Sequence, residues 1–460
     1  MTKQTGVLSR REALALAATA TGALVTGCAD SAPAAAGKHV IVVGAGLAGL
    51  GAAATLRAKG IDVTVVEARD RIGGRVHSVE RYGTTIDLGA SWIHDSRGNP
   101  LTAVAKSAGI STIPTDYDIH QLRTPSKAAV SRAVVAKQID KRDSIIDWLS
   151  TQADNNPNAI LAPVLARELA KQHQSGVSAQ TLNWLLGVEM PLDVAAAPAQ
   201  MTLEGFDEGD TWNGGPDLMI RGGAIQLVNK IAEGTKVETG VEVTSISTGR
   251  SGVTLKTRSG SVLTADGCVV AVPLGVLKAS GIKFDPPLPS ATRRAITRVG
   301  FGLLNKSFLA YDAPWWDPNT VQLGTIGSSI AETISVFPLA KLTGKPLAVG
   351  FTGGSYGAAL ERRGAGKTAA AVIERMRLGF GDTGVPAQSS QTDWLGEKFT
   401  RGSYSYLAPG SSASDRVALG KLNGRLILAG EHTSTNRPAT MDGAWLAGRT
   451  AASRLAATLP

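Results

Sequence analysis

The chain has 460 residues, 43% of them hydrophobic and 53 of them glycine, which excludes a disordered or fibrous chain and suits two or three α/β domains with many tight turns. Its net charge of +9 is dispersed without a long Lys/Arg run, which argues against a nucleic-acid partner and leaves a basic surface suited to an anionic membrane. Only two cysteines are present, Cys28 and Cys268, so a disulfide framework is excluded, and no Cys/His cluster has metal-ligand spacing, so no metal is expected.

The first segment reads as an address. Arg10 and Arg11 follow Ser9 and precede an Ala/Leu-rich stretch too short and too weakly apolar to span a bilayer. It ends in Val25-Thr26-Gly27-Cys28, and "ADSAPAAAG" then reads as a flexible tether. This pattern looks like a twin-arginine export signal joined to a lipoprotein cleavage box, with a plain cleaved signal as the alternative. The expectation is export of a folded, cofactor-loaded protein by the twin-arginine machinery. Lipid attachment at Cys28 would then hold it in the cell envelope, on the outer face of the bacterial cytoplasmic membrane.

The next segment is a βαβ unit. His39–Val43 is a continuous apolar strand, Gly44-Ala45-Gly46-Leu47-Ala48-Gly49 turns into an Ala/Leu helix, Gly60 ends it, and Val63–Val66 forms a second strand closed by Glu67. The first glycine makes the tight turn, Gly46 lets backbone approach a pyrophosphate, and Gly49 lets helix and strand pack closely. The helix N-terminus offers amide donors to phosphate, and Glu67 offers an acceptor to ribose hydroxyls. "EARDRIGGR" (67–75) follows, with Arg69, Gly74 and Arg75. It resembles the second phosphate-proximal motif of glutathione-reductase-like flavoproteins, which favours FAD over a nicotinamide cofactor.

Further along, "IDLGASWIH" (86–94) carries Gly89 and Ala90, small enough for backbone to approach a flat ligand. "LEGFDEGD" (203–210) gathers Glu204, Asp207, Glu208 and Asp210; it reads as a solvated polar loop or as acceptors at the mouth of a site. "RGGAIQLVNKIA" (221–232), "VEVTSI" (241–246) and "CVVAVPLGVLK" (268–278) read as plain β and α architecture. In "RVGFGLLNKSFLAYDAPWW" (298–316), strand alternation puts the Lys306 ammonium on the face of Leu304 and Phe308, where it needs a reason. "RGSYSYLAPGSS" (401–412) follows Trp394; in a strand, Tyr404 and Tyr406 share a face. "GRLILAGEHTSTNRPATMDGAWLAGRTAASRLAATL" (424–459) gives a strand, then Gly430 and Glu431, then a long helix capped by Thr440.

In this order, from about residue 38 to the end, these motifs resemble the flavin-dependent amine oxidases: monoamine, polyamine and spermine oxidases and the flavin-type lysine demethylases. Residues 115–200 carry little of that likeness. The resemblance implies that Gly89, Ala90, Ser91 and Trp92 run past the flavin ring, and that Val243 holds the adenine through its backbone. It implies that Trp394 and Met441 touch the cofactor and that Gly430 and Glu431 lie by its ribityl and phosphate side. His94 matches the active-site histidine of spermine and acetylpolyamine oxidases, with Asp95 where glycine is usual. Lys306 matches the lysine that reaches flavin N5 through a water. Tyr404 matches one aromatic wall of the substrate cage, and Thr440 takes the place of the second and meets the pyrimidine edge of the ring.

Ser403 stands where monoamine oxidases carry their flavin-linking cysteine, so non-covalent FAD is implied. The implied reaction is hydride transfer from an amine, most naturally a polyamine, to FAD. Imine hydrolysis to aldehyde plus amine and reduction of dioxygen to hydrogen peroxide follow. A histone demethylase fits poorly, because the chain is read as exported and lacks reader or tower insertions. Two alternatives stay open: an L-amino-acid oxidase on the same fold, and a lipoprotein that binds flavin or nucleotide without catalysis. The expected fold is α/β, a Rossmann-type FAD-binding domain (38–115, 220–300, 395–460) interleaved with a mixed-sheet and helical substrate domain (116–219, 301–394), behind a signal and tether (1–37).

Overall fold

The structure is a computed structural model that describes residues 37–209 and 212–459. The export and lipid-attachment motifs lie outside the described residues.

Five parallel strands build the nucleotide half, in the spatial order Leu426–Leu428, Gly267–Val270, His39–Val43, Asp62–Val66 and Val237–Glu238. Parallel strands covered on both faces have apolar sequences, and these do: Val40, Val42, Val65, Val269 and Ile427 are all buried. The helix Leu47–Ala58 covers one face and packs on the C-terminal helix Met441–Ala456. Their axes approach closely because small residues meet: a Cβ on Gly448 would lie 1.8 Å from the Ala48 carbonyl oxygen. On the other face sits an antiparallel meander, Val243–Gly249, Gly252–Thr257 and Val262–Ala265.

The second half is a six-stranded mixed sheet, ordered Gln388–Gln391, Leu304–Ala310, Leu347–Gly353, Ser335–Pro338, Gln322–Thr325 and His120–Arg123. Its last pair is parallel and the rest are antiparallel. The stretch with little sequence likeness is helical: Arg132–Asn155, Leu161–Lys171 and Gly176–Gly187, ending in a π-helical turn at Val188–Leu192. Between the halves lies a small antiparallel sheet in which Asp217–Ile220 pairs with Trp92–Ile93 and with Thr112–Thr115. The fold is the expected one, a Rossmann-like parallel-sheet domain joined to a mixed-sheet substrate domain.

Candidate active site

One cavity of about 1900 Å³ runs between the two halves. Its nucleotide end is lined by Gly44, Gly46, Glu67, Arg69, Gly74, Arg75 and Val243, its middle by Gly89 to Trp92, Lys306, Trp394, Gly430, Glu431, Thr440 and Met441, and its far part by His94 and Tyr404. Gly49 lies just behind the turn.

The turn after the first strand fits a dinucleotide. Gly49 packs so closely that a Cβ there would sit 1.8 Å from the Gly44 carbonyl oxygen, whereas a Cβ on Gly46 would meet nothing nearer than 3.9 Å. The chain is therefore tight behind the cradle and open in front of it, where a pyrophosphate needs backbone amides. Glu67 is buried, and its carboxylate accepts from the Ala45 amide (2.8 Å) and the Arg69 amide (3.0 Å), fixing the turn around it. The guanidinium of Arg69 is held by Glu397 and Thr400. Arg75 donates to the Ser403 carbonyl and to Glu431, both at 2.8 Å. Burial pushes the Glu431 carboxyl up, but the charges of Arg75, His432 and Arg416 and a bond from Ser405 outweigh it and hold the group at about 2.

Lys306 lies in the strand Leu304–Ala310 and is 5% exposed. Its ammonium donates to three acceptors of the segment 87–91: the carbonyls of Asp87 (2.9 Å) and Gly89 (2.5 Å) and the hydroxyl of Ser91 (2.5 Å). The rings of Trp92 and Phe351 each stand 5.7 Å from the nitrogen. Burial lowers its pKa to about 8, against the pull of Asp87. The nearby Trp394 indole donates to the Leu88 carbonyl (3.3 Å).

The C-terminal helix begins at Met441 with Thr440 as its cap. The Thr440 hydroxyl accepts from the Gly443 amide (3.0 Å) and donates to the Arg437 carbonyl (3.0 Å), so the positive end of a 16-residue helix opens on the cavity. Ser403 exchanges two hydrogen bonds with the Leu304 backbone, at 2.8 and 3.0 Å.

The tyrosine pair divides. Tyr404 lines the cavity, and its hydroxyl donates to the Asp193 carbonyl at 2.9 Å; burial and nearby carboxylates keep the phenol protonated. Tyr406 is core: it packs with Ile145, Leu149 and Leu182, and its ring lies against Gly300. The strand covers only Ser405–Tyr406, so the shared-face rule for alternate residues does not reach Tyr404.

Among the described acids of the run 203–210, the solvated-loop reading is corrected, while Glu208 does line the cavity; Asp210 lies outside the described residues. Glu208, half-buried, pairs with the fully buried Arg416 (2.6 Å), Asp207 accepts from Ser150, and Glu204 accepts from the Ala413 amide (3.1 Å). Other acids line the far wall: Asp116, Asp118, Asp140, Asp143, Asp147 and Glu189. Arg142 sits among three of them, 2.9 Å from Asp143, 3.3 Å from Asp118 and 3.5 Å from Glu189. Helical spacing on Arg132–Asn155 groups 140, 143 and 147 on one face, a signal present in the sequence but masked by its lack of family likeness.

His94 is met by a residue that the sequence did not single out. Its Nδ1 donates to Asp217 at 2.5 Å, and the same carboxylate accepts from the Tyr117 hydroxyl (3.0 Å) and the Asp95 amide (2.9 Å). Asp95 has φ of 50°, which explains why glycine suits that place, and its carboxylate pairs with Arg437 at 2.7 Å. Arg437 also pairs with Asp442 at 2.9 Å.

Comparison with known proteins adds the following. A family profile described as flavin containing amine oxidoreductase matches residues 47–456, and one described as pyridine nucleotide-disulphide oxidoreductase matches residues 8–82. Polyamine oxidase 4 of Oryza sativa subsp. japonica is 30% identical over 429 residues, covering 90% of this chain and 87% of that protein. Lysine-specific histone demethylase 1 homolog 2 of Arabidopsis thaliana is 32% identical over 449 residues, covering 90% of this chain but 58% of that protein. A solved structure of wild-type putrescine oxidase bound to putrescine superposes with a TM-score of 0.75 at 20% identity, covering 91% of this chain and 99% of that one.

Proposed function

The chain belongs to the flavin-containing amine oxidoreductase family, and from that premise we propose that this FAD-dependent enzyme oxidises a polyamine. One observation carries the choice of substrate. The cavity that takes in Lys306 and Tyr404 also takes in the carboxylates of residues 116–118, 140–147 and 189. Three of these surround Arg142, so even that cluster is net negative. A polycation needs such acceptors for the ammonium groups that do not react, and with an overall net charge of +9 the attraction has to be local.

In this reading the turn 44–49, Glu67 and the Val243 backbone hold the adenosine and pyrophosphate. The segment 89–92, Trp394, Gly430, Thr440 and Met441 meet the ring system. FAD, when bound by these residues, would supply the hydride acceptor and the two-electron route to dioxygen. An amine with a pKa of about 10 is favoured in its neutral form by the apolar walls and the uncharged Tyr404 phenol, which also orients it. Lys306, fixed by Asp87, Gly89 and Ser91, keeps a positive charge or a proton beside the ring. The capped helix at Thr440 places a positive dipole end at the same cavity, where negative charge on the cofactor is stabilised.

An amino-acid substrate is less well served, because Arg75, Arg142 and Arg437 each already meet carboxylates. The test is anaerobic bleaching of bound flavin by spermine, spermidine, their acetylated forms, putrescine, tyramine and amino acids. Fast bleaching by spermine or spermidine is expected. Bleaching by tyramine or amino acids alone would overturn the polyamine reading, and no bleaching at all would favour a binding protein.

Ser403, tied to the Leu304 backbone, offers no thiol to the flavin, so FAD is held without a covalent bond. Acid denaturation should therefore release all yellow colour into the supernatant. The leader sequence supports export by the twin-arginine route and anchoring at Cys28. Among the described residues no helix is long and apolar enough to cross a membrane. Cys28→Ser should then move the protein from membrane to soluble fractions.

A further inference from the structure

Strand pairing sets the geometry. Ile93 faces Leu218 in the small antiparallel sheet, so the next residue of one strand, His94, comes opposite the preceding residue of the other, Asp217. The Asp217 carboxylate gathers three donors: His94 Nδ1 and the Tyr117 hydroxyl on one oxygen, and the Asp95 amide on the other. It is 17% exposed, whereas the His94 side chain keeps 40% of its surface open on the cavity wall. Among the described residues His94 Nε2 makes no hydrogen bond.

We propose that Asp217 is a positioning residue for amine oxidation: it fixes the His94 ring through Nδ1 and keeps a proton on Nε2, so that His94 meets the substrate as a hydrogen-bond donor and not as a base. The inference rests on the functional reading above. Among the described residues, the charged groups that act most on the ring are Asp217, Asp193 and Arg437. Asp217 and Asp193 favour the imidazolium, Arg437 opposes it, Asp95 is tied to Arg437, and the Tyr117 phenol is kept neutral by burial and by Asp217. Burial alone would lower the His94 pKa, but the bond and charge of Asp217, with Asp193, raise it to about 9. Asp217 is correspondingly held below the usual carboxylate range: burial works against this, and the His94 bond and charge, the Asp95 amide and the Tyr117 hydroxyl outweigh it. A histidine so charged takes no proton from an ammonium at neutral pH. The amine must lose its proton elsewhere. Once His94 is neutral its Nε2 becomes an acceptor, and the His94–Asp217 pair becomes net negative toward a cation.

The test uses the FAD-loaded enzyme and two readouts. NMR titration of histidine side chains, with His94 identified by its loss in His94→Gln, should give a midpoint near 9 in the wild type, at or below 6.5 in Asp217→Asn, and above 6.5 again in Asp217→Glu. In the pH profile of kcat/KM, the limb belonging to His94 should move to acid by the same amount in Asp217→Asn and return in Asp217→Glu. An unmoved NMR midpoint in Asp217→Asn would overturn the pairing. A moved midpoint with an unmoved kinetic profile would overturn the role toward substrate. Flavin content and melting temperature check that each variant is folded, and Asp217→Glu decides the matter if Asp217→Asn is not. If no amine bleaches the wild-type flavin, the functional reading fails, while the NMR arm still decides whether Asp217 governs His94.

Discussion

Replacing Lys306 with methionine tests the buried ammonium directly. At 5% exposure its charge is largely removed from water, and burial lowers its pKa from 10.5 to about 8 despite the Asp87 charge. That fall corresponds to about 3 kcal/mol of destabilisation of the charged form. The sign follows from proton counting. Below about pH 8 both folded and unfolded chains keep the proton, and the folded chain bears the full penalty. As pH rises from about 8 to 10.5, the folded lysine releases its proton while the unfolded one retains it, and the penalty fades. Methionine has a similar length and no charge. It leaves three acceptors without their donor, at about 1–3 kcal/mol for each one that finds no water, a cost with no pH dependence. The stability of the wild type relative to Lys306→Met should therefore rise by up to about 3 kcal/mol across that range. Urea unfolding of both proteins at saturating FAD, from about pH 7 to about pH 10.5, measures the difference. A difference that stays flat would refute the buried-ammonium argument. The same variant should keep its flavin and turn over amine more slowly; unchanged oxidative turnover would remove Lys306 from the chemistry.

Glu431 carries the opposite acid dependence. Its folded pKa of about 2 lies below the ordinary 4.5, so its stabilisation, about 3 kcal/mol, is present above pH 4.5 and is lost as pH falls toward 2. Wild type and Glu431→Gln should converge in stability over that interval, and parallel acid-unfolding curves would contradict the Arg75–Glu431 pairing. At the nucleotide turn, Gly49→Ala drives a methyl into the Gly44 carbonyl and should abolish flavin binding together with much of the soluble yield. Gly46→Ala makes only ordinary contacts, with Gly73 and Gly74, so it should fold normally and lose flavin affinity; a yellow, fully loaded Gly46→Ala protein would place the pyrophosphate elsewhere.

What was legible in the sequence was local. The turn 44–49 could be read because backbone approach to a phosphate demands glycine at fixed spacing within one βαβ unit, and Lys306 could be read because an ammonium breaks an apolar strand pattern. What was not legible depends on pairing across the chain. Nothing near Glu208 announces Arg416, which closes on it from 208 residues away and ties an apparent surface loop to a buried guanidinium. Nothing near His94 announces Asp217, 123 residues on, because only the register of two short strands brings them opposite one another. A motif that names a histidine therefore leaves its proton undecided. A carboxylate facing Nδ1 favours the imidazolium, whereas a carbonyl there brings no charge to hold the second proton. In this fold the carboxylate beside His94 comes from the small sheet between the two halves, so on the proposal above the proton on His94 depends on that sheet, while the other acids of the cavity wall come from the segment 116–118, the helix Arg132–Asn155 and Glu189.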